Sequence, residues 1–238
     1  MKPPPIVAAQ EWEAAWQEML VKEKELMRAR DALAAQRRRM PWMAVDNTYT
    51  FEGPQGRVSL LDLFDGRRQL LVYRAFIEPG TGDGDVPGLP GWPDHGCVGC
   101  SLMADHVPNL AHLNARDTAL VYVSRATQPE LQRMKAKMGW DHIPWYTILP
   151  GKDAAFDEDF GVKDWHGTNV FIRDDENRVY RTYLVNGRGD EVFVNTWNLL
   201  DVTPLGRQED WEDSPEGYPQ GPPYEWWRWH DTYDQRTP

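Results

Sequence analysis

Cysteine is nearly absent from this chain: 238 residues contain two. A scaffold stapled by several disulfides is therefore excluded. Positive charge is also short, with 26 Lys and Arg against 37 Asp and Glu and a net charge of −11. Surfaces that bind nucleic acid are normally basic, so no nucleic-acid partner is expected. No apolar run reaches the ~20 residues needed to cross a bilayer, so no membrane partner is expected either. Met1–Gln10 is short and proline-rich, and charged residues follow it at once, unlike a signal peptide. The expected location is the cytoplasm. The chain has no P-loop, no GxGxxG after a strand, no GxSxG and no HExxH. Nucleotide-dependent, serine-hydrolase and zincin chemistries thus lack their usual residues.

The two cysteines that are present stand together, as Cys97-Val98-Gly99-Cys100. They follow a strand-like apolar run, Gln69–Phe76, and precede a helix predicted over Ser101–Leu113, kinked by Pro108. Strand, CxxC, helix is the sequence context of a redox dithiol. In a reducing compartment such a pair is catalytic or metal-binding rather than structural. Between strand and dithiol, Pro79–Gly96 is rich in glycine and proline and reads as a long irregular loop.

The remaining pattern is α/β. Glu11–Arg39 lacks proline and glycine and is rich in strong helix formers. Trp12, Trp16, Met19, Leu20, Glu23, Leu26, Met27, Arg30 and Leu33 trace steps of three and four, apolar at nearly all of them, which predicts a long amphipathic helix packed on the domain or on a partner subunit. A homodimer through this helix is the corresponding partner expectation. Thr48–Phe51 and Arg57–Leu60 form a hairpin around Glu52–Gly56. Ala119–Ser124 is a strand, and Pro129–Met138 a helix stopped by Gly139. Asn169–Arg173 and Arg178–Tyr183 form a β-hairpin, and Val192–Leu200 a closing helix. Four of the twelve tryptophans come after residue 205, in a Pro- and acid-rich arm expected to dock its aromatic rings on the domain. The expected organisation is a helix in 1–45, a core domain in 46–205 and an arm in 206–238.

This order is that of thioredoxin, with the hairpin in front as in peroxiredoxin-type members. The stretches GCVGCS (96–101), MKAKMGW (134–140), DFGV (159–162), VFIRDDENRVYRTY (170–183), NLLDVTPLGRQE (198–209) and WRWHDTY (227–233) extend the likeness. Through them the chain resembles a bacterial thioredoxin-like family catalogued as domain of unknown function 899, for which dithiol–disulfide exchange is inferred. The resemblance covers most of the chain. It implies an α/β thioredoxin-like fold and a thiol–disulfide or peroxide-type oxidoreductase that needs no cofactor. Its partner would be a thiol, a disulfide or a small oxidant.

Exchange needs an attacking thiolate and a resolving thiol. Cys97, just before the helix, is the expected nucleophile, because the helix N-terminus favours a negative sulfur. Cys100 is the resolving thiol. His95 is two residues away, and Arg74 and Arg125 close neighbouring strands at the ends where α/β sheets bind ligands. All three are candidate cations beside the thiolate. An ion pair with Asp105 or Asp117 accounts for either arginine equally well. Trp92, Trp140, Trp145 and Trp165 are candidates either for a pocket wall or for plain core.

Thioredoxin carries a cis-proline just before its third core strand, opposite the dithiol. Here that place reads Trp165-His166-Gly167-Thr168-Asn169, without proline, and Thr168 is expected to face the dithiol. His166 in this segment opens an alternative. Two thiols and one imidazole suit copper or zinc, and Cys97, Cys100 and His166 resemble the site of Sco-type copper chaperones. Those chaperones usually separate their cysteines by three residues rather than two. A third reading is an interaction module that uses the helix and the arm and does not need the cysteines.

Overall fold

The computed structural model describes residues 1, 3–45, 49–78, 96–151, 155–162 and 166–233. Most of the loop expected over Pro79–Gly96 lies outside the described residues, and so do His95, Trp92 and Trp165.

Eight strands form one mixed sheet in the order β1-β8-β7-β4-β5-β6-β2-β3. At its centre lie β4 (Gln69–Arg74) and β5 (Thr118–Ser124), paired in parallel. On one side β5 is followed by β6 (Trp145–Ile148), also parallel, and then by the hairpin β2 (Thr50–Gly53) and β3 (Gly56–Ser59). On the other side β4 pairs antiparallel with β7 (Gly167–Arg173), which pairs with β8 (Val179–Asn186). The two-residue strand β1 (Met43–Ala44) closes that edge.

Strand periodicity sends alternate residues of β4 and β5 to opposite faces. Leu70, Val72, Val121 and Val123 join Phe51, Phe156, Phe160 and Phe171 in one core. Tyr73, Ala75 and Tyr122 join Cys100, Met103, Leu131, Met134 and Trp145 in the other. This is the both-face burial expected of central strands. The second core is covered by helices α2 (Val98–Asp105) and α4 (Gln128–Met138). The sequence sets the bounds of α4. The Glu130 carboxylate accepts the Thr127 N–H and hydroxyl at 2.8 Å each, and Gly139 ends the helix at φ 71°.

The structure differs from the sequence expectations at several elements. The helix at the dithiol starts at Val98, so the cysteines belong to its first turn, and it ends at Asp105. A separate turn α3 (Ala111–Asn114) follows Pro108, which interrupts the helix rather than kinking it. Strand β6 and the short helix α5 (Ala155–Asp159) were not anticipated. The closing segment splits into a 3-10 helix, Gly187–Phe193, and α6 (Asn195–Leu200).

The long helix α1 (Ala9–Arg37) departs most. It forms, but none of its residues is buried, so the expected packing on the domain does not occur. Its end approaches the sheet, where the Arg37 guanidinium lies 5.0 Å over the Tyr183 ring. The C-terminal arm behaves in the opposite way. Trp229 is buried in the same core as Cys100, its ring tilted against that of Trp140 with centroids 5.8 Å apart.

Candidate active site

The carboxyl end of β4 builds the site. The Cys97 N–H bonds to the Phe76 carbonyl at 3.0 Å, which returns the chain to the sheet just past β4. Cys97 is then the N-cap of α2, and its Sγ accepts the Cys100 N–H at 3.3 Å. A sulfur thus fills the role that a hydroxyl or carboxylate usually takes at a helix start. Cys97 is half-buried, whereas Cys100 is fully buried, and both are free thiols. The Cys100 Sγ receives the Phe76 N–H at 3.3 Å and the Tyr73 hydroxyl at 3.5 Å.

This geometry separates the two thiols. The Cys100 side chain donates to the Cys97 sulfur and lowers the Cys97 pKa to about 7. Burial opposes that shift, while the Cys100 and Gly99 N–H groups and the charge of His166 assist it. Burial pushes Cys100 well above the ordinary thiol range, and the neighbouring Cys97 sulfur pushes it further. One thiol is therefore poised to ionise near neutrality, and the other holds its proton.

His166 lies before β7, as the expected topology requires. Its Nδ1 is 3.0 Å from Asp190 Oδ2, and its ring is 6.2 Å from that of Tyr73. Asp190 is buried, and burial raises its pKa while His166 lowers it. Thr168 is buried and pairs with Tyr73 across the sheet, on the face that carries Cys100.

Arg74 and Arg125, expected as free cations beside the thiolate, are instead engaged in ion pairs. Arg74 points to the opposite face of β4 from Tyr73. It is fully buried, with Asp157 at 2.8 Å and Glu78 at 2.6 Å. Arg125 binds the same Asp157 at 2.8 Å. Two cations and two carboxylates thus compensate one another. The ion-pair alternative was sound, but the partner is Asp157 rather than Asp105 or Asp117. Asp105 instead accepts Trp140 Nε1 at 2.8 Å and contacts His230 at 2.7 Å.

Trp140 and Trp145 are core residues with paired N–H groups, Trp145 donating to Ser124 at 3.0 Å. Among the described residues no group of three His, Cys, Asp or Glu side chains is placed to hold a metal ion. The Cys97–Cys100–His166 metal reading is therefore left without a geometric observation in its favour. Among the described residues no helix is long and apolar enough to cross a membrane.

Three residues of the site escaped the sequence reading. Tyr73 was visible only as a polar atom inside an apolar strand. Asp190 had no local signal. Trp227, whose ring rests on Gly99, comes from the far end of the chain.

A parallel β5–β4 pair, an antiparallel β7–β8 pair beside β4, and a dithiol helix at the carboxyl end of β4 define a thioredoxin-fold protein. The likeness to solved structures is distant. A thiol:disulfide interchange protein from Bacteroides sp. is 16% identical with a TM-score of 0.41, over 68% of this chain and 91% of that one. Peroxidoxin BcpB from Mycobacterium tuberculosis is 15% identical with a TM-score of 0.39, over 66% and 98%. A PrxQ mutant from Xylella fastidiosa is 17% identical with a TM-score of 0.38, over 66% and 96%. No curated protein sequence matches the chain. The chain belongs to the bacterial protein family of unknown function DUF899, whose model matches residues 1–233.

Proposed function

We propose that the protein is a thiol–disulfide oxidoreductase working through Cys97 and Cys100. The observation that carries this reading is the asymmetry of the pair. A half-buried N-cap sulfur has a pKa near 7, with a buried, protonated thiol directly behind it. The Cys97 thiolate attacks one sulfur of a substrate disulfide, forms a mixed disulfide and expels the first substrate thiolate. Cys100 then loses its proton, attacks Cys97 Sγ and expels the second. The protein is left with a Cys97–Cys100 disulfide and the substrate with two thiols. His166, held by Asp190, favours the Cys97 thiolate electrostatically.

The test is a redox titration in defined thiol buffers, read by thiol trapping and mass spectrometry. A reversible two-electron couple between about −120 and −270 mV is the expected result. Cys100→Ser should accumulate the mixed disulfide on Cys97, and Cys97→Ser should abolish turnover. A pair that never closes, or a Cys97→Ser protein with full turnover, would overturn the proposal.

A further inference from the structure

The backbone between the two cysteines is covered. A Cβ placed on Gly99 would lie 2.8 Å from the Trp227 ring and 3.7 Å from Cys97 Sγ. The indole is thus seated on the turn itself, next to the attacking sulfur. Glycine at 99 is what permits this approach.

The ring is fixed from both sides in sequence. Upstream, the buried Glu209 carboxylate accepts the Tyr224 N–H at 3.0 Å and Trp226 Nε1 at 2.8 Å. Downstream, Trp229 is buried against Trp140, and His230 contacts Asp105 at 2.7 Å. Trp227 itself packs 5.1 Å from Trp197 and 4.9 Å from Tyr224. Its Nε1 is buried with no acceptor among the described residues, so ring packing holds it in place.

The position matters because of what a polypeptide substrate requires. To align the attacking sulfur with a disulfide inside a chain, a backbone segment must pass alongside the CxxC turn. A neighbouring strand needs ~4.8 Å of lateral room for its backbone alone. Over Gly99 that room is filled by an indole. A small disulfide needs no flanking backbone and has only to reach the sulfur of the partly buried Cys97.

We infer that Trp227 is a specificity-determining residue that restricts the dithiol to low-molecular-weight disulfides and shuts out disulfides carried in polypeptides. The inference rests on the exchange chemistry proposed above. In each turnover the small disulfide takes up two electrons and two protons and becomes two thiols, and Cys97–Cys100 becomes the disulfide.

The test compares two substrates on the reduced full-length protein: bis(2-hydroxyethyl) disulfide and insulin. The wild type should consume the small disulfide at least 100-fold faster per disulfide bond. Trp227→Ala should gain at least tenfold on insulin and so reduce that ratio, and Trp227→Phe, which keeps a ring against Trp197, should fall between. Equal wild-type rates would overturn the inference even if Trp227→Ala did not fold, and so would a ratio unchanged in Trp227→Ala. Inertness toward both substrates in every protein would instead overturn the exchange chemistry and this inference with it.

Discussion

Both ends of the chain carry tryptophan pairs, and they meet opposite fates. On α1, Trp12 and Trp16 stack on each other with 59% and 42% of their surface in solvent. In the C-terminal arm, Trp229 is 2% exposed, and Trp227 and Trp226 pack on the domain. Aromatic content and helical spacing do not explain the difference. The arm's rings arrive with polar partners: Glu209 receives Trp226 and Trp211 at 2.8 and 2.6 Å, and Asp105 receives His230. Among the described residues no comparable partners are seen along α1, whose helix is stabilised by intrinsic propensity and local pairs such as Gln17 to Glu13 at 2.9 Å. Docking therefore follows where a polar atom and an apolar face are satisfied together.

The sharpest way to break this comparison is to remove one ring from each end. Trp229→Ala should cost about 3–5 kcal/mol as a large-to-small core change. For a chain of this size that lowers Tm by roughly 6–20 °C. Trp12→Ala should change stability by no more than about 0.5 kcal/mol, and thermal melts of the two variants decide the matter. A large loss from Trp12→Ala would mean that a partner covers α1 in solution.

Glu209→Ala probes the polar half of the argument. It strands two indole donors and the Tyr224 N–H, and should cost about 1–3 kcal/mol in denaturant unfolding. A Glu209→Gln protein, which keeps one acceptor oxygen, should lose less.

The dithiol sharpens the contrast through pH. Cys97 alkylation by iodoacetamide should rise through a midpoint at about 7, because the thiolate is the reactive form and its pKa is lowered. His166→Gln removes a charge that stabilises that thiolate, so the midpoint should move upward. Asp190→Asn should shift it less, since it acts only through the imidazole. The smallest effect is expected from deleting residues 1–37, which should leave the midpoint where it is.

Much of the sheet was legible because its strands carry their own punctuation. β4 and β5 are unbroken apolar runs, and Pro129 and Gly139 bracket α4. The hairpin β7–β8 turns at Asp174–Asn177, where Asn177 adopts φ 61°. β6 was not legible, since four residues directly after Pro144 give too short a run to show a period. The start of α2 was missed because Gly99 falls in its first turn. The stripe on α1 was over-read: the same spacing admits Glu23 and Arg30, and those belong in water. Arg74 was misassigned because a strand's carboxyl end specifies a location but not a face, and Asp157 on α5 drew the guanidinium to the far side.

An indole resting on the turn between two cysteines has an optical consequence. Disulfides quench nearby tryptophan emission, and thiols do so far less. Closing the Cys97–Cys100 bond would create a quencher near Trp227. The chain thus carries a built-in fluorophore for its own oxidation state, and the difference between wild-type and Trp227→Phe emission would report turnover without any label.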